Sequence, residues 1–248
     1  MLPVMLIPLA LSVVAQFTLT NNNMPLDTSR KIIIGFGTGR CGTKSLAEFL
    51  NKQPGLNVTH EGVALGWYPA LADTDVRLNA FLKREGDIGD VGFYWVHYLD
   101  LIFHRHQGAK AINLIRDDEE VVASFWNHLG ENESTVGWHG YPFDSPNWTK
   151  DAVRFMVKRY RYIESELYKT YPFSIYRLPM QALNSKREMG KLLDWLGVSP
   201  DNRVLEAIHF NKGQERKQKV RNFWNGLEKG RLFIRRSKGG KLCRQEDS

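Results

Sequence analysis

Lys31-Ile32-Ile33-Ile34-Gly35-Phe36-Gly37-Thr38-Gly39-Arg40-Cys41-Gly42-Thr43-Lys44-Ser45-Leu46 is the stretch from which the architecture of this chain is read. Its first four residues, rich in β-branched side chains and followed at once by glycine, are too short for a helix and predict a strand buried on both faces. Gly35, Gly37, Gly39 and Gly42 predict a loop, and because glycine lets a ligand approach the backbone, such a loop can turn several N–H groups toward one anion. A helix from Thr43 to about Asn51 then adds its positive N-terminal end. Arg40 and Lys44 place two cations in the same few residues, far more than a turn needs. The plainer alternative is a glycine-rich strand-to-helix turn that binds nothing.

An ATP-binding P-loop requires G-x-x-x-x-G-K-[ST]; here Thr43 stands between Gly42 and Lys44, which moves the lysine out of the phosphate cradle. Arg40-Cys41-Gly42-Thr43 instead resembles the 5′-phosphosulfate loop of sulfotransferases that use 3′-phosphoadenosine 5′-phosphosulfate (PAPS), where a basic residue, a small residue, Gly and Thr open a helix. The resemblance implies that Gly37, Thr38, Gly39, Arg40, Cys41, Gly42, Thr43, Lys44 and Ser45 bind the nucleotide.

A second element lies at Leu114-Ile115-Arg116-Asp117-Asp118, the end of an expected strand over 111–115. Asp117 and Asp118 suit the start of a helix, and Ser124 lies about two turns into it. An arginine leaving a strand and a serine eight residues later can both reach one phosphate. The Arg116…Ser124 spacing resembles the 3′-phosphate site of the same family, with Asp118 where many members carry proline. Read alone, Arg116 could equally be an ion-pairing residue and Ser124 an ordinary helical serine. Further on, Ser174–Leu178 followed by Leu192–Val198 is similar to the segment that closes over adenine, with Tyr176 on the adenine side and Arg177 in place of the usual acidic neighbour. Asn211-Lys212-Gly213 partly matches the family's Arg-Lys-Gly clamp, which implies a phosphate role for Lys212 and Gly213.

With 248 residues, 42% hydrophobic and 12% aromatic, the chain can bury a full core. The expected fold is α/β, a three-layer α/β/α sandwich around a central parallel sheet, P-loop NTPase-like. Between the two nucleotide elements, strands are expected over 56–59 and 88–95, with helices over 76–83 and 97–107; a long helix over 149–171, a last strand over 173–176 and a capped helix from Ser185 to Leu196 follow. The organisation expected is an apolar segment over 1–23, a sulfotransferase-like domain over 24–215 and a basic segment over 216–248. Residues 212–248 hold 12 Lys/Arg against 4 Asp/Glu, so the net charge of +7 belongs to the tail. No nucleic-acid motif accompanies that tail, and an anionic small ligand or a solvated end is expected. Two cysteines, Cys41 and Cys243, make neither a disulfide framework nor a metal site. Residues 4–19 are apolar but short for a spanning helix, which needs ~20 residues. They read as a signal, an anchor or an upstream extension of a chain starting at Met24. A cytoplasmic protein is the expectation, with the secretory pathway or a Golgi membrane as the alternative.

The resemblance implies PAPS as donor, no metal, and transfer of a sulfuryl group to a hydroxyl or amine of a small molecule or a glycan. Arg40 and Lys44 would stabilise charge on the leaving oxygen. A base must take the acceptor's proton. Glu61, in His60-Glu61-Gly62 after the second strand, and His97, after the third, are the candidates, with Glu61 favoured. The aromatic residues Trp67, Tyr68, Trp138 and Tyr141 suit a sugar or an aromatic alcohol equally. Rival readings are a nucleotide kinase or NTPase, which would want lysine in the P-loop position, and a nucleotide-binding module without catalysis.

Overall fold

The structure, a computed structural model, describes residues 30–65, 74–129 and 149–205. The apolar segment over 1–23, the basic tail with Lys212 and Gly213, and the aromatic residues Trp67, Tyr68, Trp138 and Tyr141 lie outside the described residues. Among those described, no helix is long and apolar enough to cross a membrane.

Five strands, β1 (Ile32–Phe36), β2 (Leu56–His60), β3 (Asp87–Val91), β4 (Lys110–Ile115) and β5 (Ile175–Pro179), form one sheet in the order β2-β3-β1-β4-β5. Every pairing is parallel. Parallel neighbours need crossovers, and the helices supply them: α1 (Thr43–Asn51), α2 (Thr74–Leu82), α3 (Leu99–Arg105), α4 (Asp118–Leu129), α5 (Lys150–Thr170) and α6 (Lys186–Leu196). All five residues of β1 are buried. Because successive side chains of a strand point to opposite faces, Ile32, Ile34 and Phe36 enter a core shared with α3 and α5, while Ile33 enters a second core shared with α1 and α6. The result is the expected α/β fold with helices on both faces of a parallel sheet.

Local chemistry sets the boundaries. Gly42, at φ 96°, turns the chain into α1. Thr149 caps α5 by accepting from the Ala152 N–H at 3.2 Å, and Ser185 caps α6 by accepting from the Glu188 N–H at 3.3 Å. Gly197, left-handed at φ 69°, closes α6, with the Val198 N–H donating back to the Leu193 carbonyl.

Three boundaries differ from expectation. The third strand stops at Val91, and Phe93–His97 forms a 3₁₀ turn instead of continuing the sheet. That turn buries Tyr94 and Trp95, whose rings meet at 5.6 Å, so the apolar run packs by stacking of rings and not by alternation across a sheet. The next helix therefore starts at Leu99, after His97. The last strand is shifted along the chain to Ile175–Pro179 from the expected 173–176, and Phe173 is 91% exposed.

Candidate active site

The loop after β1 packs down on β4. A Cβ on residue 37 would lie 2.5 Å from the Cys41 sulfur and 2.8 Å from the Leu114 carbonyl oxygen, so only glycine fits there. The Gly39 N–H folds back to the Gly37 carbonyl at 2.7 Å, and Arg40 takes a left-handed φ of 55°, unusual for a residue with a side chain. Cys41 points inward, fully buried, and burial pushes its thiol up to about 12; what it can offer a ligand is its backbone. Thr38, Thr43 and Ser45 are buried as well, the Thr38 hydroxyl donating to the Gly39 carbonyl at 3.1 Å. Gly42, at the N-cap of α1, makes no side-chain cap bond, and the first N–H groups of the helix sit at the loop. Lys44 is exposed, 4.0 Å from Glu48 one turn on.

The second sequence element comes to this loop. The Arg40 Nε–H donates to the Ser124 hydroxyl at 3.3 Å, and an Arg116 Nη1–H donates to the Arg40 carbonyl at 2.7 Å. Arg116 also pairs with Glu120 at 2.9 Å, so the ion-pairing alternative describes part of its environment. The two guanidiniums are close enough that Arg40 holds its proton less firmly than usual, because of burial first and the Arg116 charge second. Like charges gathered at an uncapped helix end favour an anion between them. Beside them opens a cleft of about 370 Å³ lined by Ile115, Arg116, Asp117, Asp118, Arg161, Pro179 and Gln181. Tyr176 lies on β5 with its ring 5.3 Å from that of Trp195 on α6.

On the other side of β1, His60 ends β2 and its Nε2 lies 3.1 Å from the Thr43 hydroxyl, tying that strand end to the first residue of α1. Glu61 follows, left-handed at φ 54°, with a carboxylate oxygen 3.9 Å from His60 Nε2. Burial first, and the charge of Asp90 second, raise the Glu61 carboxyl above its ordinary range. His97 sits at the end of the 3₁₀ turn, where burial first and the charge of Arg159 second lower its imidazole to about 4.

Sequence reasoning passed over Asp90. On β3 between Gly89 and Val91, fully buried, it accepts from four donors: Thr59 Oγ1 at 2.5 Å and the Gly62 N–H at 2.8 Å on one oxygen, Tyr94 OH at 2.6 Å and Trp95 Nε1 at 2.8 Å on the other. These bonds pin the turn that carries Glu61 and leave the carboxylate fully engaged. A second carboxylate, three residues after Asp87 and followed by the apolar run from Val91, was the available signal. Among the described residues no group of three His, Cys, Asp or Glu side chains is placed to hold a metal ion.

No protein-family model matches the chain. No curated protein matches it. Among solved structures it is similar to a sulfotransferase from Alicyclobacillus acidocaldarius, with a TM-score of 0.48 and 16% identity over 77% of this chain and 90% of that one. It is similar to mouse sulfotransferase SULT7A1 complexed with PAP, with a TM-score of 0.47 and 14% identity over 69% of this chain and 60% of that one. It is also similar to the YorR protein of Bacillus subtilis in complex with phosphorylated GDP, with a TM-score of 0.40 and 15% identity over 67% of this chain and 95% of that one.

Proposed function

We propose that the chain is a sulfotransferase that takes PAPS as donor and moves its sulfuryl group to a hydroxyl or amine of a small molecule or glycan. The observation that carries this reading is the convergence of Arg40, Arg116 and Ser124 over the loop that opens α1. Two cations and a hydroxyl drawn from strand-to-helix junctions far apart in sequence fit a nucleotide with phosphate groups at both ends. The Gly37–Ser45 loop would hold the 5′-phosphosulfate, and Arg116 with Ser124 the 3′-phosphate.

In the transfer, the acceptor oxygen or nitrogen forms a bond to sulfur while the bond from sulfur to the 5′-phosphate oxygen breaks, releasing 3′-phosphoadenosine 5′-phosphate (PAP). Charge grows on the departing phosphate oxygen, and Arg40, Lys44 and the first N–H groups of α1 are the donors available to it. The acceptor's proton goes to Glu61. The His60–Thr43 contact sets the Glu61 turn beside the start of α1, and the raised carboxyl suits a base that must hold a proton in passing. His97, lowered to about 4 and so neutral near pH 7, remains the competing base.

Titration calorimetry tests the reading without knowledge of the acceptor. PAP is expected to bind far better than AMP. A charge-assisted hydrogen bond contributes ~1.5–3 kcal/mol, so Arg116→Ala should weaken PAP at least ~10-fold and leave AMP nearly unchanged. Equal affinity of the unsubstituted protein for PAP and AMP refutes the proposal.

A further inference from the structure

We propose that Arg161 of α5 is a positioning residue for the nucleotide, fixing the backbone of Arg116 and cancelling the charge of Asp118 so that a 3′-phosphate can be received. This rests on the reading of Arg116 and Ser124 given above.

The Arg161 side chain is 21% exposed and spends a donor on each of three partners. Nε donates to the Asp118 carboxylate at 2.9 Å, Nη1 to the Glu164 carboxylate at 2.7 Å, and Nη2 to the Arg116 carbonyl at 2.8 Å. Arg116 is the residue that leaves β4, and Asp118 is the first of α4. One guanidinium therefore clamps both sides of the strand-to-helix junction from a helix packed against it. Glu164, one turn along α5 and nearly fully buried, holds the clamp from behind.

The charge pattern explains why a clamp is needed there. The first turn of α4 carries Asp118, Glu119 and Glu120, which complement the helix dipole but repel an incoming phosphate. Each is met by an arginine: Asp118 by Arg161, Glu119 by Arg154 at 2.9 Å, and Glu120 by Arg116 at 2.9 Å. Of the three, the Asp118–Arg161 pair also borders the cleft beside Arg116. With Asp118 ion-paired and the Arg116 carbonyl fixed, the Arg116 guanidinium can exchange Glu120 for a phosphate without its backbone moving. Lysine could not replace the fork, because one ammonium cannot reach three acceptors in a plane.

The test compares PAP and AMP affinities by calorimetry in Arg161→Gln, Arg161→Lys, Asp118→Asn and the Arg161→Gln/Asp118→Asn pair, with thermal melts alongside. Arg161→Gln is expected to cut the preference for PAP over AMP at least ~10-fold while AMP affinity stays within about twofold. Asp118→Asn alone should leave the preference intact and, combined with Arg161→Gln, restore part of it. A merely structural role would lower the melting temperature and both affinities together, and that result overturns the proposal. So does an Arg161→Gln protein that keeps the wild-type preference. If Arg161→Gln does not fold, Arg161→Lys is read in its place, and an unchanged preference there overturns the proposal. Equal wild-type affinities for PAP and AMP would instead overturn the 3′-phosphate site itself, and the positioning role with it.

Discussion

Replacing Asp90 with alanine should destabilise the protein more than removal of one small side chain would imply. The carboxylate has four donors, and they do not lose equally. Thr59 has a second acceptor in the Gly89 carbonyl at 3.5 Å, and the Gly62 N–H lies on an exposed residue where water can replace Asp90. Tyr94 OH and Trp95 Nε1 have no such escape, since the two residues are 2% and 0% exposed. A buried donor left unpaired costs ~1–3 kcal/mol, so two of them give a loss of ~2–6 kcal/mol. Against a total stability of ~5–15 kcal/mol that is a large share. In a chain of this size each kcal/mol moves the midpoint by about 2–4 °C, and a loss near ~4 kcal/mol lowers it by about 8–16 °C. Differential scanning calorimetry and urea unfolding of Asp90→Ala, with Tyr94→Phe as the control that removes a single donor, measure this. A midpoint drop under about 4 °C for Asp90→Ala would refute the view that Asp90 organises the interior beneath the Glu61 turn.

Three further outcomes concern titration. Because burial is the larger cause and Asp90 the second, Asp90→Asn should lower the Glu61 carboxyl part of the way toward its ordinary range; a ¹³C NMR titration, with Glu61→Gln to assign the resonance, reads this, and an unmoved Glu61 would break the link. In the same variant the acid limb of turnover should move to lower pH if Glu61 is the base, whereas a limb near 4 that ignores Asp90→Asn would identify His97. His97 itself should show in stability. Its imidazole is lowered from 6.5 to about 4 on folding, so the unfolded chain binds the extra proton between those values and stability falls as pH drops through that window, by up to about 3 kcal/mol. His97→Asn should flatten the urea-midpoint profile between pH 6.5 and 4, and a profile identical to wild type would show that His97 is not the group responsible.

The architecture was legible wherever residues near in sequence decide a local conformation. The β-branched run before Gly35, the glycines up to Gly42 and the Ser185–Glu188 cap each act within a few residues, and β1, α1 and α6 appear where these features place them. That Arg116 and Ser124 share one strand-to-helix junction was legible for the same reason. What escaped was decided by partners brought together only on folding. The run after Gly92 reads as a strand until its rings are seen to stack, and Asp90 reads as an odd polar residue until four donors close on it. Arg161 belongs to a helix rich in arginines, which from sequence is a solvated face; its pairing with Asp118 and the Arg116 carbonyl, both remote in the chain, follows no sequence pattern.

The strand order has a consequence for how such a molecule can change over time. β1 divides the sheet, with β3 and β2 on one flank carrying Asp90 and Glu61, and β4 on the other carrying Arg116. Drift in the residues just after Glu61 can reshape what lies beside it while β1 stands between them and the guanidinium flank. The Thr43–His60 bond ties the end of β2 to the start of α1. On the function proposed above, a lineage built on this plan could trade one acceptor for another with its donor-side guanidiniums untouched, and variation among relatives should then gather on the β2–β3 flank and thin out toward β4.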